Sequence, residues 1–334
     1  MAADHDAPVF PGDYSELSRV AEGLLDFSVP TGVALGAVKR ISPYFLRHLS
    51  IGLVDVPRFV GFNYVSHPRQ SNAAVNPFAG ASADLAAAHE PAAAGQDEDY
   101  SQPLPVQGWR LFSCVFDDGS VEAMLDHRPS ARWRFQASGI SSFHKNMSHL
   151  NFLAFRYAPN WSGRMIYTTE EHMLGFSGMR ALSSSKEWAV GGEVFYSFSQ
   201  EAPGLSVGAR YHTVNANTGH TTVVATTFSP IPGHVTATYT SDLTQAMVAS
   251  TRFEYNVHSN EAEFGVGLRL QPPNSPFDLR FRVDTSHGIG VLLRARFPHL
   301  TLALGAGCSF PPNVTTRVGL DLRVESSRDG GYAG

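Results

Sequence analysis

From Arg317 to Ser326 the chain reads RVGLDLRVES. Arg317, Gly319, Asp321 and Arg323 share one parity, and Val318, Leu320, Leu322 and Val324 share the other. A period of two predicts a β-strand with one apolar face. The same alternation sets Phe253, Tyr255 and Val257 against Arg252, Glu254, Asn256 and His258. It sets Leu279, Phe281 and Val283 against Arg280, Arg282 and Asp284, and Leu300, Leu302 and Leu304 against Thr301, Ala303 and Gly305. Read along the whole chain, it predicts about nineteen strands. Three fall near 33–41, 48–55 and 59–66. The rest fall near 107–116, 120–126, 131–140, 149–157, 162–169, 172–180, 187–198, 204–214, 220–228, 233–240, 246–257, 261–270, 277–285, 289–297, 299–309 and 315–325.

Most of these segments run to about 8–11 residues, nearer the 9–11 that a membrane-spanning strand needs than the 5–6 usual in soluble sheets. A soluble sandwich turns its apolar row inward, whereas an outer-membrane barrel turns it to lipid and keeps charge in a wet lumen. Period is the same in both. Three features favour the barrel: long strands, hairpins without covering helices, and the placement of tryptophan. Trp109, Trp133, Trp161 and Trp188 stand at or beside the starts of the fourth, sixth, eighth and tenth strands. In an up-and-down barrel those starts share one rim, where indoles form an interfacial girdle.

Two segments break the pattern. Asp13 and Glu16 have capping-box spacing, and Leu17, Val20, Ala21 and Leu24 then fall on one face of a short helix, about 14–25. That helix lies either on a domain surface or in a barrel lumen, and composition does not choose between them. Residues 67–106 are rich in Ala, Pro and acidic side chains, a composition that cannot bury a core and predicts a disordered loop. The expected organisation is therefore one barrel domain over 1–325, followed by a disordered tail, 326–334.

Composition agrees with a barrel. Charged residues are 16% of the 334, below the roughly 25% of a typical soluble domain. The formal charge of −5 gives no general attraction to nucleic acid. No apolar run reaches the ~18 residues of a membrane helix. The opening MAADHDAPVFPGDY has no basic or apolar region of a secretory leader and no Arg-rich transit pattern. A membrane location would thus be that of a barrel delivered from the cytosol.

No motif argues for catalysis, a cofactor or a metal. Gly265-Val-Gly267, Gly288-Ile-Gly290 and Gly305-Ala-Gly307 lack the third glycine and following helix of a phosphate loop. Glycines two apart share a strand face, so they predict a tight curve or a crowded lumen. Glu170-Glu171-His172 and Asp4-His5-Asp6 read as a solvated turn and a free end rather than ligand sets. Cys114 and Cys308 are too few for a disulfide framework and read as small strand residues. The protein is not expected to be an enzyme.

Several stretches together carry a resemblance. Arg317-x-Gly319-x-x-Leu322-x-Val324 fits polar-x-Gly-x-x-hydrophobic-x-hydrophobic, similar to the β-signal that marks the final strand of eukaryotic organellar barrels. LLDFSVPTGVAL from Leu24, followed by Ser42-Pro43, and the run KEWAVGGEVFYSFSQEAPGLSVGARYHT resemble mitochondrial distribution and morphology protein 10 of fungi. So do TTFSPIPGHVTATYT and STRFEYNVHSNEAEFGVGLRL. Pro230-Ile-Pro232-Gly233 stands where that family tends to have an Asn-Pro turn. The resemblance covers most of 14–325 and weakens over 67–106.

It implies a porin-type barrel of the mitochondrial outer membrane with a helix in its pore. Two roles follow from it. One is to anchor the ER–mitochondria encounter structure, a tether that moves phospholipid between organelles at contact sites. The other is to act with the sorting and assembly machinery in assembling the TOM complex. The implied partners are subunits of both assemblies, TOM components and membrane lipid. Phe253 and Tyr255 stand where the family contacts the sorting machinery. Tyr64 stands at the matching place for the tether, with Ser66 replacing a second tyrosine. A voltage-dependent porin-type channel is the alternative, because Arg280, Arg282, Asp284, Arg294 and Arg296 on the lumen parity would suit an anion pore.

Overall fold

A computed structural model describes residues 12–42, 44–52, 58–66, 107–142, 147–182, 187–215, 219–273, 275–310 and 315–326. The expected loop 67–106 and the tail beyond Ser326 lie outside the described residues. A 3-10 turn, Tyr14–Glu16, and helix α1, Arg19–Leu25, precede nineteen strands. These are β1 (Gly32–Ser42), β2 (Phe45–Gly52), β3 (Phe59–Val65), β4 (Trp109–Phe116), β5 (Ser120–Ser130), β6 (Trp133–Ser142), β7 (Met147–Ala158), β8 (Trp161–Thr168), β9 (Met173–Ala181) and β10 (Trp188–Ser197). They continue as β11 (Ala202–Val214), β12 (Thr221–Ser229), β13 (His234–Thr244), β14 (Met247–Asn256), β15 (Glu261–Leu270), β16 (Phe277–Asp284), β17 (Gly288–Phe297), β18 (Leu300–Cys308) and β19 (Thr316–Ser326).

Every consecutive pair is antiparallel, and β1 closes the sheet by pairing in parallel with β19, Gly32 against Gly319 through to Lys39 against Ser326. An odd number of alternating strands leaves the first and last pointing the same way, so the closing pair has to be parallel. Closure removes both sheet edges and satisfies every ladder, the condition for a sheet to sit in hydrocarbon. No described helix is long and apolar enough to cross a membrane, which says nothing of a barrel.

The burial pattern settles which way the alternating rows face. Asp126, Asp278, Asp284, Arg280, Thr238, Thr240 and Ser250 are buried inside, while Leu35, Phe62, Phe135, Phe176, Phe253 and Phe281 are exposed outside. A soluble domain has the reverse arrangement. An apolar exterior around a polar interior is that of a barrel spanning lipid.

The predicted helix differs in detail. It divides at Leu17 and Ser18, and Asp13 makes no side-chain cap. Glu16 pairs with Arg19 at 2.8 Å instead of closing a capping box. Leu17, Ala21 and Leu24 are buried as expected, but Val20 is 50% exposed and Leu25 takes its place. The buried stripe is as wide as expected but turned by part of a helical step toward Leu25. Strand β2 starts three residues earlier than predicted because the hairpin closes at once, with Ser42 facing Phe45. Strand β5 runs on to Ser130, past Pro129. A bulge between His127 and Ser130 accommodates a residue that has no N–H for the ladder.

Candidate functional site: the lumen segment, the closing seam and the outer aromatics

Residues 12–30 lie in the lumen and cross it lengthwise. The backbone carbonyl of Gly12 accepts from the Ser162 hydroxyl on β8. Tyr14 shares a 2.7 Å hydrogen bond with Ser206 on β11. Arg164 on β8 lies 3.6 Å from the Asp13 carboxylate. At the other end Arg252 on β14 contacts Asp26 at 2.6 Å and Asp284 on β16 at 3.2 Å. Arg280 and Arg282, also on β16, donate to the carbonyls of Gly23 and Leu25 at 3.2 and 2.8 Å. These carbonyls belong to the last turn of α1, where they lack helical partners and concentrate negative partial charge, so cations suit them. Arg282 also stands 5.1 Å over the ring of Phe27. The Ser18 hydroxyl donates to the Glu22 carboxylate at 2.6 Å.

Between these side chains the wall carries glycines where the segment approaches most closely. A Cβ on Gly267 would lie 3.0 Å from the Leu24 carbonyl oxygen, and one on Gly305 would lie 2.4 Å from Pro30. The paired glycines of the sequence therefore mark a crowded lumen. At Gly319 a Cβ would fall 2.2 Å from the Pro30 carbonyl oxygen and 2.7 Å from the Thr31 nitrogen, both backbone atoms. The glycine of the signal-like sequence is thus where the lumen segment turns into β1.

The other residues of that sequence divide by face. Leu322 and Val324 point outward and pair across the seam with Leu35 and Ala37. Leu302 and Leu300 of β18 flank them on the other side. Arg317 points inward, as do Asp321 and Arg323, which pair at 2.9 Å.

Phe253 is 45% exposed on the outside of β14, between Ala237 and Phe264 on neighbouring strands. Tyr255 lies on the same face and its hydroxyl donates to Asn260 at 2.6 Å. Tyr64 lies outside on β3, its ring centroid 4.9 Å from that of Trp109. The structure does not bring Tyr64 to Phe253. Seven strands lie between them by the shorter way round a ring of nineteen, so they lie on nearly opposite walls. They also approach opposite rims, Tyr255 beside the end of even β14 and Tyr64 beside the end of odd β3.

Asp26 was not legible as a site residue, because its partner Arg252 is 226 positions away. Among the described residues no group of three or more His, Cys, Asp or Glu side chains gathers. Glu170, Glu171 and His172 lie in the turn between β8 and β9, and Asp4, His5 and Asp6 lie outside the described residues. Cys114 is buried inside, Cys308 is exposed outside, and both are free.

A family profile described as mitochondrial distribution and morphology protein 10 matches residues 109–285, more than half of the chain. A protein of that name from Scheffersomyces stipitis is 24% identical over 276 residues, covering 77% of this chain and 59% of the relative. One from Pyricularia oryzae is 22% identical over 77% of this chain and 69% of its own length. One from Phaeosphaeria nodorum is 22% identical over 94% of each. The chain thus spans less than two thirds of the Scheffersomyces protein and nearly all of the Phaeosphaeria one. A porin of Rh. blastica superposes with a TM-score of 0.41 at 7% identity, covering 67% of this chain and 93% of that one. A likeness that loose bears on neither strand number nor function.

Proposed function

Because the chain belongs to the mitochondrial distribution and morphology protein 10 family, we propose that it is an adaptor of the mitochondrial outer membrane rather than an enzyme. In this reading it anchors the ER–mitochondria encounter structure at organelle contact sites. It also works with the sorting and assembly machinery on the TOM complex and other outer-membrane barrels. One observation carries the proposal. The two outward aromatic places, Phe253 with Tyr255 and Tyr64 with Trp109, lie on nearly opposite walls. Two partners docking there would not compete for the same surface.

The lumen supports an adaptor over the porin-type alternative. Arg280 and Arg282 face the pore but are spent on the helix carbonyls and, for Arg280, on Asp278 at 3.0 Å. Guanidinium groups held against these partners are less available to a passing anion than free ones.

The test is co-purification from mitochondria. F253A/Y255A is expected to reduce recovery of sorting-machinery subunits while leaving tether subunits at wild-type level. Y64A is expected to do the reverse. If both variants lose both sets of partners while the barrel remains assembled, the two-surface reading is wrong.

A further inference from the structure

The charges on the strands are sorted by side and by sign. Every acidic strand residue, including Glu122, Asp126, Glu193, Asp278 and Asp284, faces the lumen. Four charged residues face outward, and all are cations: Lys39 on β1, Arg47 on β2, Arg156 on β7 and Arg180 on β9. All four lie within four residues of the same rim, formed by the ends of odd strands and the starts of even ones. It is also the rim of Trp109, Trp133, Trp161 and Trp188.

Two of the cations form a compact group. The Arg156 guanidinium stands 5.3 Å from the ring of Trp133 and 5.4 Å from that of Trp161. Arg180 is the cross-strand partner of Trp161 on its other side. An indole face attracts a cation but leaves its N–H donors unused. Among the described residues no carboxylate accompanies them on the outer wall. An uncompensated arginine on the lipid face costs about 2–4 kcal/mol at the midplane and about 0–1 near the interface. A position near the rim lets the side chain reach headgroup depth. There its planar fork matches a phosphate bidentately.

We propose that Arg156, Trp161, Arg180 and Trp133 form a binding site for the phosphate of an anionic glycerophospholipid in the leaflet at this rim. The indoles lie against the glycerol and upper acyl region, and the two guanidinium groups take the phosphate. Lys39 and Arg47, cross-strand partners beside the closing seam, extend the same sign preference around the barrel. The proposal rests on the outer wall facing lipid and is independent of the adaptor role.

The tryptophans supply their own reporter, since all four lie at the rim in question. The full chain would be reconstituted in phosphatidylcholine bilayers, with brominated phosphatidylglycerol or brominated phosphatidylcholine as quencher of tryptophan fluorescence. The wild type is expected to favour the anionic lipid by about fivefold or more. R156Q/R180Q, its fold verified by circular dichroism and heat-shift on gels, is expected to lose most of that preference. R156K/R180K keeps charge without the fork and is expected to fall between. Equal quenching by both lipids in the wild type would overturn the proposal and leave the cations as a contact for an acidic protein. An unchanged preference in the glutamine variant would overturn it too. Loss of the preference on adding glycerol phosphate to the buffer would assign the site to free phosphate instead of lipid.

Discussion

Nη1 of Arg252 lies 2.8 Å from one carboxylate oxygen of Asp26 and 2.6 Å from the other, joining the lumen segment to β14. Nη2 of the same arginine reaches Asp284 at 3.2 Å, so a single side chain ties the segment to β14 and β16. Removing one partner of a poorly solvated pair strands the other and costs about 3–5 kcal/mol when burial is complete. Both side chains here keep some contact with solvent, 12% and 19% exposed, so the lower end applies.

The first expected outcome concerns that pair. D26N should lower thermal stability and open residues near α1 to protease, with the strands left intact. R252Q should do the same and disturb Asp284 as well. In the double variant the losses should sum to less than the two singles together, since both remove one interaction. Additive losses, measured by thermal unfolding in detergent, would show that the contact contributes nothing.

Gly319→Ala and Leu322→Asp should fail for different reasons. Alanine at 319 collides with the backbone of Pro30 and Thr31, so closure should fail even in protein-free liposomes. Leu322→Asp should be defective there through lipid exposure of a charge, a cost reaching a few kcal/mol at depth. A variant that closes normally in liposomes yet stalls on native gels from mitochondria would point to signal recognition alone. For Gly319 that result would remove the steric reading.

Between β16 and β17, His287 lies 3.7 Å from the Asp284 carboxylate. The neighbouring Asp284 carboxylate raises the imidazole above the usual histidine value, against a lowering contribution from burial. The sign follows from the direction. A raised histidine stabilises the fold fully below its unfolded value, and that contribution fades as pH rises through the folded one. His287 is half exposed, so the effect is small. Wild type should therefore lose a little thermal stability between slightly acid and slightly alkaline pH, and H287N should show a flatter profile. Equal slopes would contradict the pairing.

An epitope placed within 67–106 and another after Ser326 should be cleaved on the same side of the membrane. The connection leaves β3 and returns at β4, and the tail leaves β19, all at the tryptophan rim. Protease added to intact mitochondria and then to mitochondria with a ruptured outer membrane tests this. Cleavage of one tag in each condition would mean that the number of crossings between them is odd.

Much of the wall was legible because strand parity is a local property. Leu279, Phe281 and Val283 read outward and Arg280, Arg282 and Asp284 inward, and so they lie. The direction of the rows was not local, since it depends on what fills and surrounds the closed sheet. The partners of the helix were illegible for the same reason. Arg252 stood on the polar parity, but nothing within a few residues of it named Asp26. The outward arginines were a different matter. Arg156 shares parity with Leu150 and Phe152, both exposed outside, and that break in an apolar row was readable from sequence alone. The candidate contacts Phe253, Tyr255 and Tyr64 were legible as outward aromatics, whereas their separation around the ring appeared only with closure.

The parallel seam between β1 and β19 gives the two mouths of the barrel unequal burdens. The lumen segment passes Ser162 near the start of β8, crosses to the far mouth, and after nineteen strands β19 ends at the mouth beside which Gly12 lies. The long connection between β3 and β4 departs from there too. At the far mouth no link between successive strands is longer than 309–315. Added length between β3 and β4 therefore falls at one mouth alone, while the other is held to short returns.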